Sequence, residues 1–439
     1  MLKVRKYLIE AVIVFAAFLV YFSLSCVLPM KQAPDEYMRY MVPEYIFRYH
    51  RLPVGTELAV RDGAWGFSYA FTPYLPSIVG AGLMYIAAFF SESPKVLLVA
   101  CRFVSVAAAT GTVWLAFRIG RKLFEENRSR ILFAVCIAFL PQFAFLASYL
   151  NNDAFAAFTA MLIFYAWIYG RETHWSYRSC LLLSAAIGLC ALTYYNAYGW
   201  ILCSVIFFFG SVWQDKAIEG KWKHAISRGC VIALLVMLIA GWFFVRNAVL
   251  YDGDILGMRT MYAESELHAA EGYKPSQRLL YAKAGLPVWS MLLDTEWIKD
   301  TSESFFAVFG YTSIYTYHII YILYYIFIIA GILLFFYGVI GKKERRPDFL
   351  LYVCCGLCLL IPLALSIRYS YAIDYQAQGR YLMSGLPALA FFVSRGYGFA
   401  DKCPEQKRGW LPAAASVVWL ALFAIVFGTT MLPELYVGV

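Results

Sequence analysis

The sequence predicts an all-α polytopic membrane protein: a helical bundle of about 11 transmembrane helices, with further helices lying at the interface in its first outer loop. Three observations lead there. Ionisable residues make up 15% of the 439 and apolar ones 62%, too few charges to cover a soluble domain of that apolar content. Mostly apolar runs of about 20 residues, the length that crosses hydrocarbon, recur from Tyr7 to the C-terminus. Nothing of the length and composition of a separate soluble domain interrupts them, so residues 1–439 are expected to form a single membrane domain.

The first run is too long for a signal-peptide core and is followed by Leu28-Pro29-Met30 instead of a small-residue cleavage site, so it reads as a retained helix. Further spans are expected near 97–118, 131–149, 153–170, 179–195, 198–213, 226–246, 315–340, 349–367, 381–399 and 410–431. One apolar stretch, residues 69–90, carries Pro73 and Pro76 near its start and Gly80 and Gly82 after them. The retention of Lys and Arg on the cytoplasmic side arbitrates. If 69–90 does not cross, "KVRK", "RKLFEENRSR", "RETHWSYR", "QDKAIEGKWKHAISR", "GKKERRPD" and "DKCPEQKR" all fall on that side; if it crosses, only the first does. Residues 69–90 are therefore expected to lie on or dip into the outer leaflet.

This sidedness puts two long loops outside, 29–96 and 247–314, together with the turns "YLNNDAF", "TYYNAYG" and "SIRYSYAIDYQAQGRY". Nearly every polar constellation then shares one face. Asp35 and Glu36 follow the first span; they read as a solvated pair ending a helix, or as carboxylates held at headgroup level by the amphipathic stretch "APDEYMRYMVPEYIFRYHRLP". Asn151, Asn152 and Asp153 begin the fourth span, where Asn and Asp are preferred caps. Arg102, Arg246 and Arg380 stand near outer ends of spans, where arginine can snorkel; a guanidinium fork also matches phosphate oxygens. Beside Arg380, the segment "DYQAQGRY" adds Asp374, Gln376, Gln378 and Tyr381.

Other classes fit poorly. The net charge of +9 is spread over short connectors and forms no continuous patch, so no nucleic-acid partner is expected. The five histidines lack ligand spacing, and Cys354, Cys355 and Cys358 lie in an apolar run without His or acidic partners. Most of the 34 tyrosines suit an aromatic belt, leaving some to face a sugar.

"PDE" after the first helix, "ACRFVSVAAATGTVWLAFRIGRKLF", "NNDAF", "WFFVRNAVLYDGDILG", "ESFFAVFGYTSI" and "QAQGRYLMSGLPALA" occur in the order seen in GT-C-type membrane glycosyltransferases. The chain resembles that clan over almost its whole length, and within it a large family of bacterial membrane proteins. The resemblance implies a GT-C-like bundle in the bacterial cytoplasmic membrane, its active site facing outside. It implies transfer of a monosaccharide from a polyprenyl-phosphate donor, such as one on undecaprenyl phosphate, to a cell-envelope glycan, lipid or protein. It also maps a catalytic carboxylate in the first outer loop onto Asp35.

The mechanism expected from these residues is a single, inverting displacement. A phosphate leaves as a stabilised anion, so no acid is needed for the leaving group; a base and charge neutralisation remain. Asp35 is the expected base, with Arg246, Arg380 and Arg102 on the phosphate. Glu36 or Asp153 orients the acceptor, and Asn152, Gln378 and Tyr381 bind substrate. A divalent cation, Mg or Mn, shared by Asp35 and Asp153 is the candidate cofactor. Membrane lipids are the remaining partners. Two rival classes share the outer site: a transporter or flippase of lipid-linked glycans, and a glycan polymerase or ligase using a diphosphate-linked donor.

Overall fold

The computed structural model describes residues 2–341, 348–400 and 410–436. The basic stretches 342–347 and 401–408, which the sidedness expectation used, lie outside the described residues, as does Cys403. The first span is α1 (Leu2–Val27). The first long loop then holds α2 (Glu36–Tyr49) and α3 (Leu75–Ala88). The bundle continues through α4 (Pro94–Leu123), α5 (Asn127–Ala138), α6 (Pro141–Ala147), α7 (Asp153–Glu172), α8 (Tyr177–Ala191), α9 (Tyr198–Gln214) and α10 (Lys221–Leu250). A second long connection carries α11 (Met258–His268), α12 (Val288–Leu293), α13 (Trp297–Phe306) and a two-stranded hairpin, β1 (Val308–Phe309) with β2 (Ile314–Tyr315). Four segments close the bundle: α14 (His318–Ile340), α15 (Phe349–Ala372), α16 (Leu386–Ala400) and α17 (Trp410–Val426), the last running on through a π turn into α18 (Leu432–Tyr436).

Every expected span is helical, but fewer are long enough to cross. Among the described residues eight helices meet the length and composition of a span, or nine if α5 and α6 count as one broken span. The two halves of that span meet at 59°. Pro141 explains the break: it cannot donate into the preceding turn, and it forces Leu140 into extended backbone, φ −81° and ψ 120°. α8 and α16, at 15 residues each, rise only about 22 Å. α16 is preceded by a 3-10 run, Gly379–Gly385.

The 69–90 stretch forms α3, 14 residues long, about 21 Å and short of a crossing. α3 packs on α2, whose Val42, Tyr45 and Ile46 join Val60 and Tyr74 in a small apolar cluster. The amphipathic stretch thus folds as a helix with one face inside the protein, including Arg39, while Tyr37 and Tyr49 stay exposed.

Aromatic packing around α7 and α9 builds the centre of the bundle, with Trp167 stacked on Phe207 at 4.9 Å and close to Trp200 at 5.2 Å. Their indole N–H groups are satisfied internally, Trp167 by Ser204 Oγ at 2.9 Å and Trp200 by the Ser384 carbonyl at 2.8 Å, as buried donors require. α14 and α16 approach so closely that a Cβ at Gly396 would lie 1.9 Å from the Gly331 carbonyl, the small-residue contact common between membrane helices. Cys354, Cys355 and Cys358 are buried in this packing.

Candidate functional site

The turn leaving α1 ends at Asp35, which takes left-handed backbone, φ 62° and ψ −4°. That conformation costs a non-glycine residue about 1–2 kcal/mol, least for Asn and Asp. Asp35 occupies the N-cap position of α2 yet makes no capping hydrogen bond. Its carboxylate instead accepts from Arg380 Nη2 at 2.6 Å. The Tyr69 hydroxyl reaches it too, and the side chain remains 26% exposed. Burial pulls the Asp35 carboxyl up; Arg380 and Arg39, with the hydrogen bonds from Arg380 and Tyr69, outweigh it and hold the group below the usual carboxylate range.

Arg380 is placed by steric compulsion one residue earlier. A Cβ at Gly379 would lie 2.2 Å from Phe305 N and 2.4 Å from the Thr301 carbonyl, so only glycine lets the 3-10 run press against α13. The Gly379 N–H donates to Ser304 Oγ at 2.7 Å. Arg380 is 7% exposed. Its Nη2 also donates to Tyr381 Oη at 3.3 Å, while buried Nε and Nη1 have no partner. Tyr381 Oη passes its own hydrogen to Gln376 Oε1. Beside Arg380, Gln378 leaves its buried carbonyl oxygen Oε1 unpartnered.

A second buried guanidinium, absent from the sequence expectations, stands across from Arg380. Arg39 is one helical turn past Asp35, 6% exposed, and lies 4.0 Å from the Tyr69 ring centroid and 6.0 Å from that of Tyr194. Its Nε has no partner and, among the described residues, no carboxylate lies within ion-pair distance, although Asp35 and Asp153 are both in its electrostatic surroundings. The Asp35-to-Arg39 spacing of four residues was the available signal, since it puts both on one helix face. Asp153, the first residue of α7, is buried and lies in the electrostatic surroundings of Arg380, Arg39 and Asp35.

The remaining expected residues are engaged in holding the frame. Glu36 and Arg102 form a fully buried bidentate pair, Nε to Oε1 at 2.7 Å and Nη2 to Oε2 at 2.6 Å. Arg102 Nη1 donates to the Ser25 and Leu28 carbonyls, and Glu36 Oε1 also accepts from Leu150 N. Asn152 donates to the carbonyls of Pro73, 3.1 Å, and Thr193, 2.7 Å. Arg246 sits apart on α10, its Nη2 donating to the Pro53 carbonyl at 2.7 Å beside Tyr74 and Tyr251. No hydrogen bond or ion pair joins it to Asp35, Arg380 or Asp153 among the described residues.

The expected cation finds little support in the donor set. Among the described residues no three His, Cys, Asp or Glu side chains gather as a metal site, and Asp35 already spends Oδ2 on an arginine. On the other face of α2 a cavity of about 1280 Å³ opens between α1, α2 and α4, lined by Leu24, Leu28, Tyr40, Met84, Leu98 and Phe427 among others.

Residues 81–242 match the family model for dolichyl-phosphate-mannose-protein mannosyltransferases. No curated protein matches the sequence. The fold is similar to that of the Archaeoglobus fulgidus oligosaccharyltransferase, at TM-score 0.56 and 14% identity over 98% of this chain and 55% of that one. It is also similar to ArnT from Cupriavidus metallidurans bound to undecaprenyl phosphate, at TM-score 0.51 and 13% identity over 97% and 74% of the two chains. The chain thus spans about half the length of the oligosaccharyltransferase it matches. One structure of that archaeal enzyme contains zinc and sulfate.

Proposed function

We propose that this chain, which has the fold of the GT-C membrane glycosyltransferases, transfers a sugar from a polyprenyl-phosphate carrier to an acceptor hydroxyl on the outer side of a bacterial cytoplasmic membrane. One observation supports this most: an ionised carboxylate on strained backbone faces two buried guanidiniums that keep unpartnered N–H groups. Buried donors without partners are costly, and a ligand carrying several acceptor oxygens removes that cost. A phosphate is such a ligand.

In this mechanism the donor phosphate takes hydrogen bonds from Arg380 Nε and Nη1 and from Arg39 Nε. Asp35 accepts the proton of the attacking hydroxyl as its oxygen bonds to the anomeric carbon, and the bond from that carbon to the phosphate oxygen breaks with its electron pair going to the phosphate. Carbon is inverted, and the two arginines neutralise the charge that develops on the leaving group. As phosphate draws on Arg380, the guanidinium loosens its hold on Asp35 and the carboxylate becomes a better base. Asp153 and the Tyr69 hydroxyl orient the sugar, with Gln378 and Tyr381 at its edge.

Glu36, Arg102 and Asn152 are positioning residues in this scheme, and Arg246 lies outside the reacting centre. The carrier tail takes the apolar cavity between α1, α2 and α4, which Met84 of α3 flanks. No step requires a metal. The deciding experiment is transfer from a polyprenyl-phosphate sugar in proteoliposomes: Asp35→Asn should lose at least about 100-fold in kcat, and near-normal turnover would remove the base.

A further inference from the structure

The chain of polar contacts that begins at Asp35 does not stop at Arg380. Tyr381 links Arg380 to Gln376, and Gln376 Nε2 donates to Asp374 Oδ2 at 2.8 Å. Asp374 faces Arg278 of the second outer loop, Nη1 to Oδ2 at 3.7 Å, outside hydrogen-bonding range. The Arg278 guanidinium in turn lies 5.9 Å from the centre of the Trp65 ring. These groups are half-buried, at 14% exposure for Arg278 and 18% for Asp374.

Trp65 is a fixed platform although it sits in a loop. Its N–H and that of Ala64 both donate to Asp62 Oδ1, at 2.8 and 2.9 Å, and its carbonyl accepts from Ser265 Oγ at 2.8 Å. Gly66, at φ +70°, lets the turn close on the other loop: a Cβ there would lie 2.3 Å from Ala269 N. Tyr273 meets the indole edge-on at 5.1 Å. Both long outer loops therefore cooperate to hold one half-exposed indole in place.

We propose that Trp65, Arg278 and Asp374 form the acceptor's seat, and that the group bound there is a carbohydrate residue. This rests on the glycosyltransferase reading for its role, not for its binding. An aromatic face accepts the C–H side of a sugar ring, while a carboxylate and a guanidinium side by side, 3.7 Å apart, suit two neighbouring ring hydroxyls, one donating to Asp374 and the other accepting from Arg278. The carboxylate opposes an anionic headgroup, and the paired charges favour a neutral polyol. The seat joins the base through four side chains, Asp374, Gln376, Tyr381 and Arg380.

Saturation-transfer NMR on the full-length protein in detergent tests this with methyl hexosides, a Ser/Thr hexapeptide and glycerophosphoethanolamine as probes. Saturation transfer to a methyl hexoside is expected, reduced about fivefold or more in Trp65→Ala and in Asp374→Asn and retained in Trp65→Phe and Asp35→Asn. No transfer to any hexoside, transfer to the peptide or the headgroup alone, or an unchanged signal in both Trp65→Ala and Asp374→Asn overturns the seat. In proteoliposomes Trp65→Ala should raise acceptor KM about tenfold and leave donor KM unchanged. Normal turnover by Asp35→Asn with hexoside binding still lost in Trp65→Ala would sink the catalytic reading and keep the seat; the opposite pattern sinks only the seat.

Discussion

Asp35 and Arg380 are 345 positions apart in the sequence and 2.6 Å apart in space. The pair joins the first long loop to the last connector before α16, and it sets the ionisation of the proposed base. Because Arg380 and Arg39 outweigh burial at Asp35, activity should stay level through neutral pH and fall only below the ordinary carboxylate range. Arg380→Gln removes a lowering influence and leaves burial, which raises. Its acid limb should therefore move to higher pH, alongside a fall in kcat. A pH–rate profile of the variant checks the direction; a limb that stays put dissociates the two residues.

Among the described residues Arg39 has no ion-pair partner, and it keeps one unpartnered buried nitrogen. Its loss should fall on donor binding. Charge-assisted hydrogen bonds contribute about 1.5–3 kcal/mol, so Arg39→Gln should raise donor KM roughly 10- to 100-fold. Arg39→Lys keeps the charge without the planar fork over Tyr69 and should recover only part. Initial rates against donor concentration separate these outcomes.

Glu36 stands next to Asp35 but should behave differently. Its bidentate pair with Arg102 is fully buried, and removing one partner leaves a charge stranded, at a cost of about 3–5 kcal/mol. Glu36→Gln and Arg102→Leu should each lower the thermal unfolding midpoint in detergent, while the surviving folded fraction keeps its donor KM. The double change Glu36→Leu with Arg102→Met should restore part of the stability. A donor KM shift without loss of stability would return Arg102 to the phosphate.

Gly379→Ala tests how Arg380 is aimed. The added methyl meets main-chain atoms of α13, Phe305 N at 2.2 Å, which cannot give way as a flexible side-chain end would. The 3-10 run must shift, carrying Arg380 off Asp35. We expect kcat to fall about 100-fold, as misplacement by an ångström does. Ser304→Ala loses one hydrogen bond to Gly379 N and should cost about 0.5–1.5 kcal/mol of stability. Both variants are read by kcat and unfolding midpoint together.

The membrane class, the position of the eleven apolar runs and the short α3 were legible because burial in lipid demands long apolar stretches. Asp35, Asp153, Arg380, Gln378 and Tyr381 were singled out by their place near span ends, and the structure brings them near one another. Glu36, Arg102, Asn152 and Arg246 looked alike in sequence, since a polar residue at a helix end is the same letter whether it binds a ligand or its own backbone. Partnership separates Arg102, which donates to a carboxylate and two carbonyls, from Arg380 and Arg39, which keep unpartnered nitrogens; Arg246 keeps one too, Nη1, and is set apart by its place beside Pro53. Arg39 was hidden inside an apparently amphipathic helix, where its four-residue spacing from Asp35 was the one signal, and packing against Tyr69 and Tyr194 marks it out. The lengths of α8 and α16 were overestimated because hydropathy does not register where a helix gives way to a 3-10 run.

The bend at Pro141 has a bearing on the solvent the reacting groups experience. By turning the chain 59°, it sends the peptide after α6 sideways, so that Leu150 donates to Glu36 and Tyr149 comes beside Arg380. Ordered protein, not acyl chain, therefore forms the floor under the charges. A polar chamber lined this way keeps fixed dipoles around an ionic reaction.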